Sequence, residues 1–129
     1  MPSASKIKAV VVDDQMTMRS LVRSCLQQIG ICDVREYSGP QEALENLKIQ
    51  PAHVVLSDFN MPGMDGLEFL RTVRSDPAMK TMGFILLTGR ADADLVKRAV
   101  QFGANNYLAK PFTVAVLKQK LEQVFGALT

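Results

Sequence analysis

Five short apolar runs, each followed by a segment with helical spacing, constrain this 129-residue chain more than any other feature. The runs lie at residues 7–12, 33–37, 54–57, 84–87 and 106–109. In the first, third and fourth, polar residues scarcely alternate with apolar ones. A strand with one face in water alternates, so unbroken Val, Ile and Leu predict strands covered on both faces, as in a parallel sheet.

The intervening segments carry the other period. Met18, Leu21, Val22, Cys25, Leu26 and Ile29 recur at three- and four-residue spacing, and Gly30 can end that helix in the left-handed region. Ser38, with Gln41 three residues on, has the form of a capping box, and Pro40 suits a first helical turn. Leu67, Leu70 and Val73 define a third helix that ends before Asp76-Pro77. Leu95, Val96, Ala99 and Val100 define a fourth, with Gly103 just beyond it. Thr113 is placed to cap a fifth, whose stripe is Val114, Leu117, Leu121, Val124 and Leu128. Strand and helix thus alternate five times, which predicts one α/β domain over residues 1–129, a (βα)5 unit on a parallel sheet. Right-handed crossovers then put helices on both faces, a doubly wound arrangement.

Composition removes several function classes. Fifteen Lys and Arg against 13 Asp and Glu leave a formal charge of +2, with no dense basic tract, so no nucleic-acid partner is expected. Cys25 and Cys32 are too few for a disulfide scaffold, and both thiols are expected reduced and partly buried. The single histidine, His53, excludes a His-rich metal site. The start is polar, without a signal-peptide pattern, and no window approaches the ~20 apolar residues of a membrane span. A cytoplasmic protein with no membrane contact is the expectation.

In open parallel sheets, ligands bind beyond the carboxyl ends of the strands. The polar residues that matter sit there: Asp13 and Asp14 after the first run, Asp58 after the third, Thr88 after the fourth and Lys110 after the fifth. If the first and third strands are neighbours, three carboxylates converge and repel. A hard dication such as Mg²⁺ relieves that, since it takes oxygen ligands and tolerates a site of few carboxylates, waters and phosphate oxygens. Lys110 adds a positive charge and Thr88 a hydroxyl. The set suits phosphoryl transfer onto an aspartate, with cations neutralising the phosphoryl oxygens.

Val10-Val11-Val12-Asp13-Asp14, the stretch from Asp58-Phe59-Asn60-Met61-Pro62-Gly63 through Met64-Asp65-Gly66, Leu87-Thr88-Gly89 and Lys110-Pro111-Phe112-Thr113 resemble the marks of receiver domains in bacterial two-component signalling. They come in the same order, with 44, 30 and 22 residues separating Asp14, Asp58, Thr88 and Lys110. Among receivers the chain is most similar to single-domain regulators of chemotaxis. The resemblance implies a flavodoxin-like sheet in the order 2-1-3-4-5. It implies that Asp58 accepts the phosphoryl group and that Asp14, Asp58 and the Asn60 backbone carbonyl ligate Mg²⁺ directly, with Asp13 acting through water. Lys110 would pair with Asp58 and then with the phosphoryl group, while Thr88 and Tyr107 form the switch. The implied partners are a histidine kinase as donor, and a protein target such as the flagellar motor switch, or a phosphatase; a phosphate-sink role is the other chemotaxis option. The chain would be a regulator, not a turnover enzyme, and a monomer, its output passing through binding another protein. Arg90, Leu95, Ala99, Tyr107 and Lys118 are the expected contacts on the output face, and Arg90 also lies near the mouth of the site.

Two rivals share parts of the pattern. A Mg²⁺-dependent phosphohydrolase with an Asp nucleophile would want a second carboxylate two residues past Asp58, where this chain has Asn60. A flavin carrier of similar topology would want a Ser-, Thr- and Gly-rich phosphate loop after the first strand. Asp13-Asp14-Gln15 is acidic instead and repels a bare phosphate.

Overall fold

The computed structural model describes residues 3–61, 63–89 and 93–128. A short 3₁₀ turn at Ala4–Lys6 leads into β1 (Lys8–Val12), α1 (Met16–Ile29), β2 (Asp33–Tyr37), α2 (Pro40–Ile49) and β3 (Val54–Asp58). Then follow α3 (Gly66–Ser75), β4 (Gly83–Thr88), α4 (Ala93–Gln101), β5 (Asn106–Ala109) and α5 (Val114–Phe125). The five strands form one parallel sheet in the order β2-β1-β3-β4-β5. No helix among the described residues is long and apolar enough to cross a membrane.

The unbroken apolar runs are explained by two cores. Successive side chains of a strand point to opposite faces. Val10, Val12, Val55, Phe84 and Leu86 pack with α2, α3 and α4, while Ala9, Val11, Val54, Leu56, Ile85 and Leu87 pack with α1 and α5. β3 and β4 are buried at every residue, as central strands of a doubly wound sheet must be.

The helix ends follow local chemistry. Gly30 adopts φ 111°, and the Thr113 hydroxyl accepts from the Val116 N–H at 3.2 Å. Asp65, not singled out beforehand, caps α3 by accepting from the Glu68 N–H at 2.9 Å. Ser38 makes no capping bond. Gly39 occupies the cap position of α2, and Pro40, with its preset φ and no N–H to satisfy, opens the helix.

Other expectations need correction. α5 ends at Phe125 before Gly126, so Leu128 packs on the core from beyond the helix. Cys25 is buried, but Cys32 is exposed; neither forms a disulfide. The apolar stripe of α4 divides. Leu95 and Ala99, 8 % and 1 % exposed, face the sheet, while Val100 is 64 % exposed. Leu95 and Ala99 therefore cannot serve as contacts on an outer face. Arg90 and Pro62 lie outside the described residues.

Candidate functional site

Adjacent strands deliver the carboxylates to one place. Val12 of β1 pairs with Ser57 of β3, so Asp13 and Asp14 emerge beside Asp58 at the carboxyl edge of the sheet. One carboxylate oxygen from each of the three lies within 4.8 Å of the others. Lys110 arrives from beyond β5, where its backbone N–H donates to the Thr88 carbonyl at 2.8 Å. Its side chain then reaches back over β4, placing Nζ 2.7 Å from Asp58 Oδ1 and 3.5 Å from Asp13 Oδ2. The Lys110–Pro111 peptide is cis.

Asp13 is more constrained than its place at a strand end suggests. It is 1 % exposed. Its backbone N–H donates to the Tyr37 carbonyl at 3.2 Å, and its Oδ1 accepts from the Gln15 N–H at 2.8 Å. Among the described residues, Oδ2 accepts no hydrogen bond and has only the longer-range attraction of Lys110. Burial pushes the Asp13 carboxyl above its ordinary range. The charges of Asp58 and Asp14 add to that shift, while the Gln15 N–H and the Lys110 ammonium oppose it.

This arrangement fits a hard dication. Three carboxylates face one ammonium, and a buried carboxylate oxygen points into the cluster without a hydrogen-bond donor. Asp14 is exposed and Asp58 nearly buried, so the site is open on one side. Asn60 lies two residues beyond Asp58, exposed on the loop that leads to α3. Thr88 is buried at the end of β4. Leu86 pairs with Tyr107 and Thr88 with Ala109, so Thr88 and Tyr107 are diagonal neighbours on one face. The Tyr107 ring is half-buried, with Lys120 Nζ 5.0 Å from its centroid. Lys120 was not anticipated, because only the packing of α5 on β5 brings it there.

The Asp13 strain carries a testable consequence. In the metal-free protein, Asp13→Asn is expected to raise unfolding stability at neutral pH by about 1–3 kcal/mol, the scale of an unsatisfied buried polar atom. The unfolded chain releases this proton near 3.8 and the folded chain only at higher pH. Wild-type stability therefore falls as pH rises through that interval, and the deficit persists above it. The variant's advantage should vanish well below pH 3.8 and be full at neutral pH. Urea titrations at both conditions read it; equal stability at neutral pH would mean that Lys110 fully compensates the Asp13 charge.

The response regulator receiver domain model matches residues 9–122. The chain is 48 % identical over 128 residues to a probable chemotaxis protein CheY of Rhizobium etli, covering 99 % of each chain. It is 37 % identical over 122 residues to chemotaxis protein CheY-3 of Vibrio cholerae, covering 95 % of this chain and 94 % of the other. The crystal structure of Vibrio cholerae chemotaxis protein CheY4 superposes with a TM-score of 0.85 at 31 % identity, covering 92 % of this chain and 98 % of that one.

Proposed function

This chain belongs to the response regulator receiver domain family, and on that premise we propose that it takes a phosphoryl group from a histidine kinase onto Asp58, with Mg²⁺ beside it, and so changes its affinity for a protein target. It acts as a regulator, not as a turnover enzyme, in the cytoplasm and as a monomer, with residues 1–129 serving as one receiver domain. Its similarity to chemotaxis proteins supports chemotaxis as the process, with the flagellar motor switch as target or a phosphate sink as the role.

The observation that carries this reading is the Lys110 ammonium, 2.7 Å from Asp58 Oδ1, beside the converging Asp13 and Asp14. An Asp58 carboxylate oxygen bonds to phosphorus as the donor's phosphorus–nitrogen bond breaks. A carboxylate, unlike a hydroxyl, needs no base to become a nucleophile. Asp14, Asp58 and the Asn60 carbonyl would hold the dication, with Asp13 acting through water. The ion would spread the charge that gathers on the phosphoryl oxygens. After transfer, Lys110 shifts its hydrogen bond from the carboxylate to the phosphoryl group.

The new group adds about −1.5 to −2 charge and three acceptor oxygens. The Thr88 hydroxyl turns toward them, and the Tyr107 ring follows into the space beside it. Reversing a two-state population from 1:99 to 99:1 takes about 5.5 kcal/mol. A few charge-assisted hydrogen bonds of ~1.5–3 kcal/mol each reach that scale. The response appears on the face of α4, β5 and α5. There a groove of about 330 Å³ is lined by Tyr107, Pro111, Phe112, Val116 and Lys120 among others, with Lys118 exposed nearby.

The test mixes the purified chain with candidate phosphorylated kinases and records amide chemical shifts of α4 and β5. Wild type is expected to take the label and shift these resonances. Thr88→Ala is expected to take the label and shift them weakly. A full wild-type shift pattern in Thr88→Ala would remove Thr88 from the coupling, and failure of every kinase to label the wild type would sink the signalling reading.

A further inference from the structure

The β1–α1 turn is held by a side chain outside the receiver motifs. Arg19, on the first turns of α1, is 15 % exposed and reaches back so that its Nη1 donates to the Asp13 carbonyl at 2.6 Å. Its Nε lies 3.6 Å from Glu36 Oε1 on β2, an ion pair too long to be a hydrogen bond. Arg23, one turn on, holds Glu36 more tightly, with Nη1 2.7 Å from Oε2. Glu36 is thus fixed by Arg23 and in turn helps fix Arg19.

The carbonyl that Arg19 grips shares a planar peptide unit with the N–H of Asp14. Holding that oxygen sets the orientation of the peptide plane from which Asp14 departs. Among the described residues the turn is also held at its two ends: the Asp13 N–H donates to the Tyr37 carbonyl and the Asp13 Oδ1 accepts from the Gln15 N–H, while the Gln15 carbonyl accepts from the Arg19 N–H at 3.1 Å. The Asp14 side chain is exposed, so its direction depends chiefly on the backbone beneath it. We propose that Arg19, braced by Glu36, is a positioning residue that aims the Asp14 carboxylate into the Asp13–Asp14–Asp58 cluster and thereby sets its affinity for a divalent cation. This rests on the reading of that cluster as a Mg²⁺ site.

Charge and geometry make opposite demands here, which makes the test decisive. Arg19 is a cation beside a cation site, so its charge alone repels Mg²⁺. If charge were its whole role, Arg19→Met would bind Mg²⁺ more tightly. If Arg19 aims Asp14, the same variant binds more weakly. Supporting residues around metal ligands typically change affinity ten-fold or more when removed, so about a ten-fold loss is expected. Arg19→Lys keeps the charge but lacks the fork that reaches Asp13 and Glu36 together, and is expected to fall between the two. Glu36→Gln, which leaves Arg19 in place but unbraced, is expected to give a smaller loss.

The experiment titrates Mg²⁺ into the unphosphorylated full chain by NMR, after thermal unfolding has verified that each variant is folded. The Asp14 and Gln15 backbone amide shifts of the metal-free protein are recorded alongside. Displaced amides with weakened Mg²⁺ binding in Arg19→Met, partly restored in Arg19→Lys, support the proposal. Unchanged or tighter binding overturns it. Should Arg19→Met not fold, the ordering of Arg19→Lys below wild type decides alone. A wild type that binds no Mg²⁺ would overturn the metal reading of the cluster and with it the affinity claim, whatever the amides report about the turn.

Discussion

Asp58→Asn is expected to abolish covalent phosphorylation. With acetyl phosphate and Mg²⁺, intact-mass measurement should find one added phosphoryl group on the wild type and none on the variant. The two side chains have the same shape, but an amide presents no anionic oxygen to phosphorus. The variant also loses the charge that holds Lys110 at 2.7 Å. Loss of uptake should not reflect unfolding, because the substitution removes one of three crowded like charges. Melting of the metal-free proteins checks this, the variant being expected no less stable than wild type. Equal labelling of Asp58→Asn would move the acceptor elsewhere. No other described aspartate pairs with Lys110 as closely; Asp13 lies at 3.5 Å and is almost wholly buried.

Gly66→Ala is expected to have the largest effect on the fold. Gly66 opens α3, and its N–H donates to the Phe59 carbonyl at 2.8 Å, drawing the helix start onto the end of β3. A Cβ there would lie 2.7 Å from the Asp58 carbonyl oxygen, 2.7 Å from Leu86 Cδ1 and 2.9 Å from Phe59 Cα. Carbon contacts are comfortable only near ~3.5–4.0 Å. Two of the three clashing atoms are backbone, so a rotamer change cannot relieve the crowding. A loss of about 2–3 kcal/mol or more is expected in urea unfolding. Because the oxygen in the way belongs to Asp58, the surviving folded protein should also accept phosphate more slowly. Gly39→Ala is the control: an added Cβ meets nothing within 4 Å, so it should lose only the ~0.5–1 kcal/mol by which Ala is the poorer helix cap. Equal stability of Gly66→Ala and wild type would mean that α3 can lift from the strand end freely.

Much of this was legible in the order of residues because it depends on local periodicity. Unbroken Val runs and three-to-four spacing locate the strands, and the helices apart from the end of α5, to within a residue or two: the third strand extends to Asp58 and the fourth runs from Gly83 to Thr88, while α5 stops at Phe125. Asp13, Asp14, Asp58, Thr88 and Lys110 were recognisable because each ends its apolar run or follows it within two residues, and a parallel sheet gathers all such ends on one edge. The division of the α4 stripe was not legible. An apolar period shows that a helix has an apolar side, but not where that side stops. Val100 and Leu95 are alike to the eye, and only the placement of α4 against the sheet separates them.

What the chain order settled by itself was the alternation of elements and the set of polar groups at the strand ends, since both are written within a few consecutive residues. What only the tertiary structure decided was how those groups meet. The burial of Asp13 with one oxygen unsatisfied, the grip of Arg19 on the Asp13 carbonyl, the Lys120 ammonium over Tyr107, and the closeness of Gly66 to Asp58 are through-space relations. Each joins residues whose separation along the chain says nothing of their distance. Lys110 and Asp58 are 52 positions apart and 2.7 Å apart. Hydrogen bonding and repulsion act over a few ångströms of space, so their partners exist only once the sheet has brought distant segments together.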